Sequence, residues 1–145
     1  MPESKGTIHI KSDNPEEYPS IKYNFLSSQL DRDTLVAGVK LIRKLMQSEA
    51  MKEFCDTEIQ PGYDFSSDED IMQFIRNKAE TLYHPSGTCK MGFDQESVVD
   101  KNLKVHGIKG LRIADASIMP TLVSGNTNAV CMMIGERCAD FILNN

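Results

Sequence analysis

The sequence lacks the glycine-rich string that normally holds a dinucleotide. None of its nine glycines form G-x-G-x-x-G after a strand, the pattern that cradles a pyrophosphate. It also lacks any apolar run as long as a membrane span needs, and its N-terminus lacks the apolar core of a secretory signal. We therefore expect no transmembrane segment, and cytoplasmic residence is the default prediction.

Positive charge is scarce as well. The 145 residues include 16 basic and 21 acidic side chains, for a formal net charge of -5. Because no basic stripe runs along any segment, nucleic acid is not an expected partner. Hydrophobic residues make up 40% of the chain, which is enough to build a core at this length.

The four cysteines do not form a metal-binding or disulfide pattern. No C-x-x-C pair occurs and no histidine stands at zinc-ligand spacing from a cysteine, so we predict no metal site. Cys131 and Cys138 are about 10 Å apart along the axis of one predicted helix, too far for a disulfide. We expect four reduced thiols that serve as small core residues.

The first half of the chain shows one strand pattern and two helix patterns. The stretch "GTIHI", residues 6–10, alternates as a half-buried strand does, and a turn-rich loop follows. Apolar residues then recur with a helical period from Asp31 to Met46, with Asp31 or Asp33 as candidate cap. A second helix is predicted over 68–82, with Ser66 or Ser67 as its cap. Its buried side would consist of Ile71, Phe74, Ile75 and Ala79.

After Gly92 the pattern changes. Short β-branched runs broken by Gly107 and Gly110 indicate strands and turns. The string "GLRIAD", residues 110–115, is typical of a strand covered on both sides. The string "NTNAVCMMIGERCADFIL", residues 126–143, predicts a closing helix that is apolar around much of its circumference and is therefore expected to be buried. This last third needs a sheet that the preceding segments do not supply.

His84 is the histidine with the most constrained surroundings, in "YHPSGT". Pro85 biases the residue before it towards extended backbone, and Gly87 allows a turn that other residues avoid. Such a frame suits a catalytic base, but it suits a core histidine with one fixed partner equally well. His9 and His106 lack these neighbours and are interpreted as structural or exposed.

Two segments together resemble one known family. The strings "YHPSGT…KMG", residues 83–92, and "VVDKNLKVHGIKGLRIADASIMPTLVSGNTNAVCMMIGE", residues 98–136, resemble the C-terminal region of the glucose-methanol-choline family of flavoprotein oxidoreductases. The alcohol and choline dehydrogenase-like branch is the most similar, and the resemblance runs from about Gly6 to about Ile142. Val130 departs from it, because that branch often has proline there.

The resemblance implies an enzyme that uses FAD to oxidise a small alcohol to a carbonyl. The family histidine that takes the hydroxyl proton, while a hydride passes to flavin N5, maps to His84. Its partner on the substrate oxygen maps to Asn126. The family's flavin contacts imply Asp115 and Ala116, followed by Thr127 and Asn128. Taken alone, Asn126 would be a helix cap and Asp115 a turn residue.

The same resemblance implies a fold class and a missing part. We expect an α+β fold: a substrate-side antiparallel sheet with helices in residues 1–85, then an active-site loop and a strand and helix, residues 86–145, that return to the sheet of an FAD domain. That N-terminal domain, the expected partner, would hold the main FAD site outside this sequence. The alternative is a non-catalytic binding or interaction module derived from the family. The identity of the alcohol and of the electron acceptor is not encoded in these residues.

Overall fold

The computed structural model describes residues 1–144, in which two short strands precede three longer helices. The strands are β1 (Thr7–His9) and β2 (Ser20–Lys22), the α-helices are α1 (Gln29–Met46), α2 (Asp68–Lys78) and α3 (Asn128–Leu143), and a 3-10 turn spans Ala116–Ile118. The chain folds as two compact units, residues 2–80 and a second unit that begins at Thr81. The proposed assignment of residues 1–85 and 86–145 to a substrate side and a flavin side stays a prediction.

The sheet of the first unit is a two-stranded antiparallel pair. β1 and β2 align with Ile8 opposite Ile21 and Thr7 opposite Lys22. The predicted strand over "GTIHI" is confirmed by β1, and an antiparallel sheet with helices is present as expected. The expected half-burial of this strand is wrong, because all three residues of β1 are exposed. β2 was not predicted, because its three residues, "SIK", are too few to show an alternating pattern.

Helix α1 confirms the helical period of the sequence, but its predicted cap is wrong. The N-cap is Ser28, and the helix begins at Gln29, before both candidate aspartates. The Asp31 carboxylate instead accepts hydrogen bonds from the N–H groups of Glu3 and Ser4, at 2.9 and 2.8 Å. A hydrogen bond from the Ser4 side chain, together with these backbone bonds, lowers the pKa of Asp31. Asp31 therefore anchors the N-terminal segment and does not cap the helix.

Helix α2 begins with the predicted serine cap. The Ser67 side chain accepts a hydrogen bond from the Asp70 N–H, and the Asp70 carboxylate accepts one from the Ser67 N–H, so the two residues form a capping box. Ile71 and Ile75 are buried and form the core of this unit with Val36 of α1, as the apolar spacing predicted.

The end of α2 was placed too late. The helix stops at Lys78, and Ala79 is extended and exposed instead of lying on the buried side. Leu82 is 84% exposed, so another helical turn would gain no apolar burial. Helices of this size depend on such packing for stability. His84 consequently follows a short extended segment and not a helix end.

A partly buried ion pair holds the loop after α1. The Arg43 guanidinium donates to both carboxylate oxygens of Glu58, with N···O distances of 2.8 to 3.0 Å. It also donates to the carbonyls of Gly62 and Phe65, at 2.9 and 2.8 Å. Paired, bidentate charges with further hydrogen bonds offset the cost of their desolvation. One side chain on α1 thus fixes the loop that leads to α2.

In the second unit, the segment after His84 pairs with the 3-10 turn. The N–H groups of Gly87, Cys89 and Met91 donate to the carbonyls of Ala116, Ser117 and Ile118, at 3.3, 2.9 and 2.8 Å. Gly87 has a φ of +82°, and a Cβ there would lie 3.3 Å from the Met119 carbonyl oxygen. A glycine is therefore required where this segment meets the turn.

Between these two segments the predicted strands are reduced to isolated bridges. Met91 pairs with Val99, Val99 with Val105, and Lys104 with Arg112, each as a single bridge. The strand predicted at "GLRIAD" is present as a single bridge at Arg112, where the Leu111 carbonyl accepts the Val105 N–H and the Ile113 N–H donates to the Leu103 carbonyl. Leu111 is 46% exposed, so the described residues do not supply the cover expected on both faces. The backbone turns at Gly107 and Gly110, where φ is +77° and +78°, between the two sides of the bridge that joins Lys104 to Arg112.

Helix α3 is confirmed, but its expected burial is not. Only Ile134 and Cys138 of the helix are buried, in a core with Val99, Leu103, Ile118 and Met119. Met132 and Ile142 are 61% and 59% exposed. The helix is apolar on more of its circumference than the described part of this unit covers. The four thiols are free as predicted, with Cys138 buried and the others partly buried.

We expect Ser67→Ala to destabilise the first unit by about 1 kcal/mol, because it removes the hydroxyl that accepts the Asp70 N–H and donates to the Asp70 carboxylate. Urea unfolding followed by circular dichroism measures the change. Ser66→Ala is the matched control, since Ser66 is the exposed residue just before the cap. Equal losses for the two variants would show that the box contributes nothing.

We expect Gly87→Ala to destabilise the second unit by more than Gly107→Ala does. Both glycines have positive φ, which costs an L-residue roughly 1–2 kcal/mol, but an added Cβ has nothing within 4 Å at Gly107. The difference between the two unfolding free energies isolates the contact with the Met119 carbonyl. A Gly87 variant no less stable than the Gly107 variant would contradict the tight fit.

Candidate active site

His84 is held by backbone geometry and by one side chain. Tyr83 before it has a φ of +59°, an uncommon conformation for a bulky residue, and Pro85 follows. The imidazole is partly buried, and its Nδ1 lies 3.2 Å from the Thr127 Oγ1. These two residues are 43 positions apart in the chain, so the fold brings the two predicted segments together at the histidine itself.

Asn126 lies next to this contact but not in the position predicted for it. The N-cap of α3 is Thr127, and Asn126 is an exposed residue just before it. The interpretation of Asn126 as the helix cap is therefore wrong, because the helix begins two residues later, at Asn128. Its predicted role opposite His84 on a substrate oxygen remains a prediction, and the position beside Thr127 is compatible with it.

Of the predicted residues Asp115 and Ala116, Ala116 contacts the histidine segment. The Asp115 carboxylate accepts a hydrogen bond from the Ser117 N–H at 2.7 Å and caps the 3-10 turn. The Ala116 carbonyl accepts the N–H of Gly87, three residues after His84. The structure thus places Asp115 as a turn residue, and Ala116 as a backbone neighbour of the histidine segment.

Helix α3 begins directly after Thr127, the residue that contacts His84. The first hydrogen bond of the helix runs from the Cys131 N–H to the Thr127 carbonyl, at 2.9 Å. The N–H groups of the residues before Cys131 have no carbonyl of the helix to bond. Asn128 and Ala129, in this first turn, are exposed. Such an end carries partial positive charge and favours anionic groups. This donor set fits the negative edge of a reduced flavin, as the mapped residues Thr127 and Asn128 require.

The charged residues of the motif are paired away from His84. Lys90 contacts Asp94 at 3.0 Å and Glu96 at 3.3 Å. Hydrogen bonds from Lys90 and Ser97 lower the pKa of Asp94 to about 2, and the bond to Asp94 raises the pKa of Lys90. Because the pKa of Asp94 is depressed, the stabilisation it gives is complete above its ordinary value and is lost as the pH falls towards 2. Lys90 therefore holds the loop that follows the motif.

Other sites are not apparent in the described part of the chain. Residues 1–144 contain no group of three or more His, Cys, Asp or Glu side chains arranged to hold a metal ion. Within the same residues, no helix is both long and apolar enough to cross a bilayer.

The contact that could not be predicted from the sequence is the bond between His84 and the Thr127 hydroxyl. No periodicity or spacing connects residues so far apart, so no signal in the sequence could have shown it.

Comparison with known proteins gives a consistent result. A family model described as GMC oxidoreductase, for the C-terminal region, matches residues 2–135. Oxygen-dependent choline dehydrogenase of Escherichia coli strain K12 is 45% identical over 139 residues, which cover 96% of this chain and 25% of that protein. The chain thus spans about a quarter of the length of the curated relatives it matches.

Solved structures show the same similarity. Pyridoxine 4-oxidase from Mesorbium loti superposes with a TM-score of 0.92 at 29% identity, covering 99% of this chain and 28% of that one. An FAD-dependent oxidoreductase from Chaetomium thermophilum superposes with a TM-score of 0.88 at 31% identity, covering 94% and 24%. Because the family model matches residues 2–135, which is most of this sequence, the chain belongs to the GMC oxidoreductase family.

Proposed function

We propose that this chain supplies the proton-accepting side of an FAD-dependent oxidoreductase that converts an alcohol CH–OH group to a carbonyl. The observation that carries the proposal is the meeting of His84 with Thr127, directly beside Asn126 and the N-terminus of α3. This brings a fixed imidazole, an exposed amide and a set of anion-favouring N–H groups to one place. The family membership and the relatives named for choline and pyridoxine oxidation support the same reaction class.

The chemistry of His84 suits the first step. Imidazole is the side chain whose ordinary protonation range lies closest to neutral pH, so it can accept a proton without first losing one. With Nδ1 engaged by Thr127, Nε2 is the nitrogen left to meet a substrate hydroxyl. We propose that it takes the hydroxyl proton as the carbonyl forms.

Asn126 complements the histidine on the substrate oxygen. Its side-chain amide is exposed and can donate a hydrogen bond to an oxygen that is gaining negative charge, without carrying a charge itself. The residue adjoins Thr127, whose hydroxyl contacts His84. We propose that the two side chains hold the alcohol oxygen between them.

FAD, when bound, would supply the two-electron acceptor. In this chain Thr127 and Asn128, at the α3 N-terminus, and the Asp115–Ala116 turn would contact it. The negative charge that a reduced flavin carries would meet the electropositive end of α3. The residues present therefore fit the isoalloxazine edge, while a pyrophosphate cradle is not found in this sequence.

We propose that an FAD-binding domain supplies the main cofactor site and covers apolar surface of this chain. The matched residues cover 25% of the choline dehydrogenase relative, so the rest of that protein is long enough to contain such a domain. Each unit also has apolar side chains that its own described residues leave exposed: Leu41, Ile42 and Leu45 on α1, and Met132, Met133 and Ile142 on α3. Exposed apolar faces of this extent are typical of surfaces that contact another domain.

The substrate class that follows is a small alcohol. A relative is named for choline, whose quaternary ammonium is recognised by aromatic rings. Tyr23 and Phe25 stack with ring centroids 5.1 Å apart, but they lie in the other unit from His84. They do not support choline over another alcohol, and the electron acceptor is likewise left open by the proposal.

In the full-length FAD-loaded protein, we expect His84→Ala to lower kcat for alcohol oxidation by about two to four orders of magnitude, the usual contribution of a positioned acid–base group. The flavin content should be unchanged, because the pyrophosphate site lies elsewhere. A steady-state assay with an artificial electron acceptor, over a panel of primary alcohols, measures the loss.

The matched control is His9→Ala, since His9 is an exposed histidine on β1. It should keep parental turnover. Near-parental turnover of the His84 variant, with alcohol in excess and FAD bound, would show that His84 is not the base.

A further inference from the structure

Thr127 differs from every other polar residue in the described chain by its burial. It is 8% exposed and is the buried polar residue among residues 1–144. A buried hydroxyl needs a hydrogen-bond partner, since leaving it unpaired costs free energy. Its partner is Nδ1 of His84, at 3.2 Å.

Thr127 stands at the N-cap of α3, where a threonine hydroxyl ordinarily bonds the helix. Threonine at an N-cap normally turns its hydroxyl towards the N–H groups of the first helical turn. Here Thr127 is the N-cap of α3 and its side chain makes no cap hydrogen bond. The hydroxyl is directed to the histidine in place of the helix, so its function is not helix stability.

A hydroxyl against Nδ1 determines which imidazole nitrogen can act as a base. In neutral histidine one ring nitrogen carries the proton and the other carries the lone pair. If Nδ1–H donates to the Thr127 oxygen, the lone pair is on Nε2, where it can accept a proton from an alcohol. The opposite arrangement, with Thr127 donating, would place the proton on Nε2 and leave it unable to act as a base.

We propose that Thr127 is a positioning residue for His84: its hydroxyl oxygen accepts the Nδ1–H and so holds the tautomer whose Nε2 is free to take the alcohol proton. The inference rests on the proposed function of His84 as the base. It assigns to the Thr127 side chain a role towards the histidine, distinct from the flavin contact predicted for this residue from the family resemblance.

The kinetic test compares three variants of the full-length FAD-loaded protein. Thr127→Val keeps the shape and removes the hydroxyl, and should lower kcat roughly three- to tenfold, the equivalent of one hydrogen bond, with KM and FAD content little changed. Thr127→Ser restores the hydroxyl and should restore kcat. Thr34→Val makes the same chemical change at an exposed position of α1 and should leave kcat at the parental value.

The spectroscopic test reads the tautomer directly. In protein labelled with ¹⁵N-histidine, the His84 signals are assigned by difference from His84→Gln, and the ¹⁵N shifts of the two ring nitrogens report which one is protonated. We expect Nδ1–H in the parent and in Thr127→Ser, and a shift towards the Nε2–H tautomer in Thr127→Val. A merely structural role for Thr127 would not change this ratio.

The outcomes separate this inference from the proposed function. Parental activity in His84→Gln would refute the base assignment itself. An inactive His84→Gln together with a Thr127→Val variant that keeps parental kcat and tautomer would refute the positioning role alone. Should Thr127→Val fail to fold, the parent spectrum still decides: an Nε2–H tautomer at neutral pH would overturn the proposal.

Discussion

The backbone pairing between residues 87–91 and the 3-10 turn at Ala116–Ile118 is the constraint on which the candidate site depends. Three N–H groups at alternate positions donate to three successive carbonyls, which fixes the direction in which the chain leaves His84. The same turn contributes Ile118 to the core that includes Ile134 of α3. Histidine segment, turn and last helix are therefore parts of one packed unit, and the contact between His84 and Thr127 is a consequence of it.

The second unit leaves much of its apolar surface exposed. Its core consists of a few separate residues: Val99, Leu103, Ile118, Met119, Ile134 and Cys138. Much of the apolar surface of α3 is not covered by the described residues. Apolar burial supplies most of the free energy of folding, so a unit with this much exposed apolar area gains stability when another surface covers it. Under the proposed function, the exposed N-terminus of α3 and its exposed apolar face would both contact an FAD domain.

Features set by local sequence were predicted, and features set by distant contacts were not. The helical period of α1 and the capping serine of α2 act within a few residues, and both were confirmed. The role of Asp31 depends on contacts with Glu3 and Ser4, which no local pattern encodes. β-Branched runs after Gly92 predicted strands, but a strand also needs a continuous partner, and here the described residues pair only as single bridges. In the site, the motifs identified His84, while its partner, Thr127, emerged only from the fold.

The most direct test of the account is the flavin absorbance of purified residues 1–145 after incubation with FAD and gel filtration. We expect no stoichiometric flavin and no alcohol oxidation, because the chain has the proposed proton acceptor and the proposed flavin-edge residues but no glycine-rich pyrophosphate cradle. Adding the FAD domain, in trans or in cis, should restore both. A yellow fragment with one FAD per chain that oxidises alcohols by itself would contradict the central claim that the main FAD site lies outside these residues.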